Sequence, residues 1–185
     1  MTVGLVMLVS GCLSGCSVLR DDPEPTINVH QAVKRVDSVL DGTFAAIHPQ
    51  LKWRDGPVRT SKGGNSFTNT ENGELTVGRS RYVRTEVSKE KLKKLVAVVD
   101  RYWRKAGYEI GDPIPEEPSF SGTASDGCSI TFHVNDGDVY FDAAVSAISP
   151  GAGFEIDGQE GDKFPKAPNG GPDRTPDLRD FYWSK

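Results

Sequence analysis

Cysteine is scarce in this chain: three residues in 185, at Cys12, Cys16 and Cys128. No Cys-x-x-Cys pair and no Cys/His cluster occurs, which argues against a zinc site. Histidine is equally sparse, with His30, His48 and His133. None of the G-x-S-x-G, H-E-x-x-H, S-x-x-K, Walker or dinucleotide-binding patterns is present, so nothing in the sequence supports an enzyme. No metal and no cofactor is expected. Charge of one sign is also lacking overall, the formal net charge being −4.

What is present reads as a globular protein of one domain. Hydrophobic residues make up 36% and charged residues 26%, enough for a modest core and too apolar for a disordered chain. The small net charge hides an asymmetry. Lys52 to Lys105 carries 14 Lys and Arg against 6 Asp and Glu, whereas residues 106–185 carry 5 against 15. Such halves either mark an interaction surface or neutralise one another across the fold, and the second is the simpler expectation.

The N-terminal segment carries the clearest address. An apolar run, Val3 to Val9, leads to Leu13-Ser14-Gly15-Cys16, and a polar segment begins at Arg20. This resembles the lipobox of bacterial lipoproteins. The resemblance implies cleavage before Cys16, a lipid on its sulfur, and a domain held at the extracellular face of the cell membrane. Val9-Ser10-Gly11-Cys12 is an overlapping match, so Cys12 is the alternative lipidation residue. Cys16 is preferred because it leaves a longer apolar region upstream. The expected division is a leader over 1–15, a tether over 16–26, a domain over 27–149 and a Gly/Pro/Asp-rich tail over 150–185. The leader departs from the usual pattern in lacking a positive stretch before its apolar run. The competing reading is a short transmembrane anchor, but Met1 to Leu19 is barely long enough for a bilayer of about 30 Å.

Periodicity gives the domain. Val29, Val33, Val36, Leu40, Phe44 and Ile47 recur at helical spacing, with Asn28 and Gln31 in a capping-box arrangement and Pro49 as the stop. Leu51 to Trp53 starts a strand. Residues 56–73 read as a long loop or irregular hairpin, and Glu74 to Val87 as a strand with one face exposed. Ser88 caps a second helix with Leu92, Leu95, Val96, Val99, Trp103 and Ala106 on its apolar face and Gly107 as its stop. Tyr108 to Ile110 begins another strand. Asp126-Gly127 and Asp136-Gly137 are turn dipeptides that cut the following stretch into a three-strand meander. The expected order is α-β-β-α-β-β-β-β: an α+β fold, an antiparallel sheet with two helices on one face and an irregular C-terminal tail.

Four groups of residues are candidates for function. His133 alternates onto the polar face of its strand, near Tyr140 and Asp142 if the hairpin pairs as read, and could form an acid/base pair with Asp142. An ordinary polar cross-strand cluster is the simpler reading. Arg79, Arg81 and Arg84, with the lysines that follow, form a basic stretch that could meet anionic lipid or wall polymer. Nucleic acid is not expected of an exported protein. Phe181, Tyr182 and Trp183 either fold back on the domain or anchor a partner. Asn135-Asp136-Gly137-Asp138 lacks the ligand pattern of a calcium loop and reads as a hairpin turn.

The lipobox, Pro49-Gln50-Leu51-Lys52-Trp53, the helix leading through Val99-Asp100-Arg101-Tyr102-Trp103 to Ala106-Gly107-Tyr108, and the strands from Ser125 to Ser146 together resemble a group of small actinobacterial lipoproteins. Members of that group often carry a cysteine pair joining the loop after the first strand to the last strand. This chain has no cysteine at 60–65 or 143–150, so the resemblance implies that the bridge is absent here, with the roughly 2–4 kcal/mol such a bridge contributes. It implies no activity or ligand. The expectation is a lipid-anchored, non-enzymatic binding or interaction module at the cell envelope, with a possible envelope protein as partner. The alternative is an envelope hydrolase or cation-dependent enzyme using His133 and Asp142.

Overall fold

The computed structural model describes residues 27–65, 70–111, 118–135, 137–148 and 160–185. The expected leader and tether, with Cys12 and Cys16, lie outside these residues. Among the described residues no helix is long and apolar enough to cross a membrane.

Helix α1 spans Val29–Ala45. Asn28 Oδ1 accepts from the Gln31 N–H at 3.0 Å, and the Gln31 side chain accepts from the Asn28 N–H at 2.9 Å, closing the capping box. Val29, Val33, Val36, Leu40 and Phe44 are buried along one stripe. Helix α2 spans Lys89–Lys105 and starts at the Ser88 cap. It ends in a Schellman motif: the Gly107 N–H bonds Arg104 O and the Tyr108 N–H bonds Trp103 O. Gly107 sits at φ 84°, the left-handed conformation that this stop requires.

The strands are β1 (Trp53–Asp55), β2 (Arg59–Asn65), β3 (Thr70–Val83), β4 (Glu109–Ile110), β5 (Phe120–Thr123), β6 (Ser129–Asn135) and β7 (Asp138–Ile148). They form one antiparallel sheet in the order β1-β3-β7-β6-β5-β4, with β2 also on β3. Strands β1 and β2 follow one another along the outer edge of β3, Trp53 opposite Val83 and Arg59 opposite Gly78. The fold is α+β, with both helices on one face of the sheet. It differs from the expected order by one strand: much of 56–73 pairs along β3. Backbone pairing fills that edge although Gly, Asn and Ser are poor strand formers, because propensity yields to sheet context.

The core lies between the helices and the sheet. Val77, Ile130, Phe132, Phe141, Ala143 and Val145 point toward Leu40, Phe44, Leu95, Val99 and Trp103, and all are buried. Trp103 Nε1 donates to Thr43 Oγ1 at 3.0 Å, so the one polar atom of this buried ring joins α2 to α1. Cys128 is buried and has no disulfide partner among the described residues. Burial pushes its thiol up to about 11, so at neutral pH it is protonated and inert.

Two of the candidate arginines belong to this interior. Arg79 and Arg81 stand opposite the core residues Ala143 and Phe141, hence on the helix-facing side. Arg79 Nη1 meets Asp37 Oδ1 at 2.9 Å, and Arg81 meets Asp41 at 2.9 Å and Asp55 at 2.6 Å. Asp37 and Asp41 are one helical turn apart on α1, so both pairs tie α1 to β3. Burial raises the Asp37 carboxyl above the ordinary range even beside Arg79, as expected when desolvation outweighs attraction. The reading of Arg79 and Arg81 as an outward basic patch is therefore corrected: strand alternation turns them inward, where carboxylates await them.

The tail from 160 to 185 contains no helix or strand, as expected, yet it is docked rather than loose. The Asp162 N–H bonds Asp55 O, the Asp177 and Leu178 N–H groups bond Arg84 O, and the Ser88 N–H bonds Trp183 O. Gly161, at φ 79°, lies so close to Gly56 that a Cβ would meet its backbone at 2.5 Å, so no other residue fits there without displacing the chain. Trp183 is 1% exposed, and its Nε1 donates to Pro49 O at 2.7 Å. Arg84 holds Asp177 through two hydrogen bonds of 2.8 Å. Such pairs across the chain, with Arg54–Asp177 and Arg59–Asp142, join the basic and acidic halves.

The Arg84 guanidinium, and then Arg54, draw the Asp177 carboxyl down to about 2 from the ordinary 3.8. A depressed carboxyl stabilises docking above its unfolded value and loses that contribution as pH falls through the folded one. Between about pH 4 and 2 the segment is therefore expected to loosen, read as a shift in tryptophan emission. Asp177→Asn should already show the weaker docking at pH 7 and lose this step. Equal acid response in both proteins would refute the assignment.

Candidate functional site

The face of the sheet away from the helices carries the polar residues. Register alone assembles them in two rows. Tyr82, Tyr140 and His133 stand opposite one another on β3, β7 and β6, and so do Ser80, Asp142 and Thr131. Tyr82 stacks on Tyr140 with ring centroids 5.7 Å apart, and Tyr140 on His133 at 4.5 Å. These cross-strand stacks are the kind that stabilise a sheet pair by roughly 0.2–1 kcal/mol each.

His133 Nε2 lies 3.2 Å from Asp142 Oδ2, the pairing expected from the hairpin. The other carboxylate oxygen, Oδ1, accepts from Ser80 Oγ and from Arg59 Nη2, the latter at 3.3 Å. Arg59 also bonds Ser80 Oγ. Asp142 is thus the centre of a four-residue polar cluster. Asn135 and Asp138 close the β6–β7 hairpin as its last pair, with Gly137 at φ 90°, the positive φ that a tight hairpin turn needs. The turn reading of that acidic run accounts for both residues.

A cleft of about 310 Å³ opens beside this cluster, lined by Arg59, Ser80, Tyr82, Tyr140, Asp142 and Arg174 among others. Its wall is partly the docked tail. Arg174 lies over the Tyr82 ring at 4.8 Å, and Phe164 meets the same ring edge-on at 5.5 Å. Sequence reasoning found His133, Tyr140 and Asp142 but missed Ser80, Arg59 and Arg174. The period-two alternation of β3 could have found Ser80, which shares parity with Tyr82. No sequence signal places Arg174, because its position follows from how the tail docks.

Of the remaining candidates, Arg84 is held by Asp177. The three aromatics of the tail divide: Trp183 is buried, Phe181 is 89% exposed and Tyr182 is 37% exposed. The Asp162 carboxylate accepts the Asp55 N–H at 2.8 Å. Among the described residues no group of three or more His, Cys, Asp or Glu side chains converges as a metal site would need.

Chemically, the cluster is a satisfied network more than a reactive one. A serine nucleophile needs a base that takes its proton, normally an imidazole held in turn by a carboxylate. Here the carboxylate sits between the serine and the imidazole, so His133 and Ser80 both address Asp142 and not each other. No protein-family model, no curated protein and no solved structure matches this chain.

Proposed function

We propose that this chain is a membrane-anchored extracytoplasmic lipoprotein whose domain is a non-enzymatic binding module at the cell envelope, using the open-face cleft. The observation that carries the non-enzymatic part is the order of the hydrogen bonds: Ser80 donates to Asp142, which also holds His133 and Arg59. A network so arranged fixes side chains in place and offers their polar edges for recognition. The address rests on the lipobox residues. One observation favours the second reading, an envelope hydrolase or cation-dependent enzyme: His133 and Asp142 lie 3.2 Å apart, as an acid/base pair would.

Two experiments test the parts separately. A fluorophosphonate probe, which labels activated serines, is expected to leave Ser80 unmodified; labelling that disappears in Ser80→Ala would overturn the binding reading. In cell fractionation, Cys16→Ala should move the protein out of the membrane fraction while Cys12→Ala leaves it there. The reverse pattern would make Cys12 the lipidation residue, and retention of both variants would remove the lipid anchor.

A further inference from the structure

The last residues of the chain meet the start of α2 on a surface remote in role from the cleft. Asp180 Oδ1 accepts the N–H groups of Tyr182 and Trp183 at 2.8 and 2.9 Å, making a rigid turn. That turn sends Trp183 inward and holds Phe181 outward, where 89% of it is exposed. A phenylalanine so presented is unusual, because nothing in a flexible tail would keep its ring in water when its neighbour is anchored.

Ammonium groups surround the two outer rings. Lys91 Nζ lies 4.1 Å and Lys94 Nζ 5.9 Å from the Tyr182 ring centre, and Lys185 Nζ lies 5.4 Å from that of Phe181. Two of the nearby carboxylates are already engaged. Glu86 meets Arg179 at 3.2 Å, and the two N–H bonds just described draw the Asp180 carboxyl below the ordinary range. A hollow of about 330 Å³ is lined by Arg179, Asp180, Phe181, Ser184 and Lys185.

We infer that this patch is a contact surface for an anionic phospholipid bilayer, with Phe181 entering the interfacial region and Lys91, Lys94 and Lys185 meeting lipid phosphates. Charge complementarity selects this occupant. Protein interfaces deplete lysine around their aromatic anchors and exclude water with tight packing. Here the aromatic is ringed by lysines, whose flexible stems let the charge reach a headgroup while the ring goes deeper. Aromatic residues with lysines are the composition of surfaces that lie on anionic membranes. The inference does not depend on lipidation of Cys16 or on what the cleft binds. It gives the domain a fixed orientation, with the α2 end down.

The test places a local probe in the full chain. Phe181→Trp is mixed with vesicles of phosphatidylglycerol and bromine-labelled phosphatidylcholine, and its tryptophan quenching is compared with that of the unaltered chain. Extra quenching is expected with phosphatidylglycerol, and none with phosphatidylcholine alone. Adding Lys91→Glu and Lys94→Glu should weaken the interaction roughly tenfold or more, with circular dichroism checking that α2 remains folded. Because the probe reports position 181 alone, membrane attachment through the N-terminal segment does not mimic the signal. Equal extra quenching on both vesicle types, or no extra quenching while the protein sediments with the vesicles, would overturn the inference. So would a photoreactive residue at 181 that captures a protein and no lipid in cells.

Discussion

Trp183→Ala is expected to release the C-terminal segment from the domain while the sheet and both helices stay folded. The substitution removes a ring that is 1% exposed and the hydrogen bond from its Nε1 to Pro49 O at 2.7 Å. Truncating a buried tryptophan costs about 3–5 kcal/mol. The remaining attachments include the Arg84–Asp177, Arg54–Asp177 and Arg179–Glu86 pairs, the Asp162 carboxylate on the Asp55 N–H, the contacts of Phe164 and Arg174 with Tyr82, several backbone hydrogen bonds and the parallel bridge between Thr85 and Leu178. Exposed ion pairs contribute about 0–1 kcal/mol each, so they do not hold a 26-residue irregular segment (160–185) once its anchor is gone. Undocking is a local event, and the global loss is limited to what docking contributes. Limited proteolysis is the direct measurement: cleavage between 160 and 180 should become rapid, with the two helices and the sheet strands resistant. A segment as protected as before would show that Trp183 is not the anchor. Release would also remove Arg174 from the cleft and Phe164 from the Tyr82 ring that lines it, so ligand binding there should weaken in the same variant.

Arg81→Ala is expected to destabilise the whole domain by about 3–5 kcal/mol, the usual cost of breaking a buried ion pair. The Arg81 guanidinium is held between Asp41 and Asp55 and lies over the rings of Phe44 and Trp53 at 5.1 and 4.9 Å. Alanine leaves Asp55 without its charged partner and opens a void between the rings. The informative contrast is Arg81→Met. Methionine fills most of the space and suits the two aromatic neighbours. Asp41, whose side chain is 67% exposed, returns to water at little cost. Like alanine, methionine leaves Asp55 without its charged partner, so it recovers only the packing share of the loss, and Met should be destabilising but less so than Ala. Lysine should not rescue, because an ammonium cannot reproduce the fork that reaches both carboxylates. Urea unfolding midpoints at constant slope measure all three. A loss below 1 kcal/mol for Ala would mean that the pairs tying α1 to β3 are incidental.

The helices and the late meander were legible because their signals are local. Asn28 with Gln31, Ser88 and Gly107 mark helix ends by hydrogen bonds that each residue makes within four positions of itself. Asp126-Gly127 and Asp136-Gly137 fix the hairpin turns, and alternation along Ile130, Phe132 and Val134 then fixes which side is core. His133 beside Asp142 followed from that same register. β2 was not legible as a strand. Its Gly and Asn content signals a loop, and the edge it occupies exists only because β3 is long enough to offer one.

Arginine 81 marks the limit most clearly. Its charge argues for the surface, and in sequence it belongs to a run of basic residues. Whether it faces out depends on a parity set by β7 and on carboxylates supplied by Asp41 of α1 and Asp55 of β1. The aromatic run Phe181-Tyr182-Trp183 makes the same point: sequence establishes that three rings adjoin, and the Asp180 turn decides that one is an anchor and another is presented to solvent.

The sequence by itself determined the α+β class, the two helices and the meander, because each rests on short-range hydrogen bonding or on periodicity. The lipobox likeness at Cys16 stands on sequence alone. Only the tertiary structure decided that Arg79 and Arg81 are interior ties, that the tail is docked and walls a cleft, and that Asp142 stands between Ser80 and His133. Those outcomes depend on which distant segments meet, and that is set by the packing of the whole chain and not by any residue's own preference.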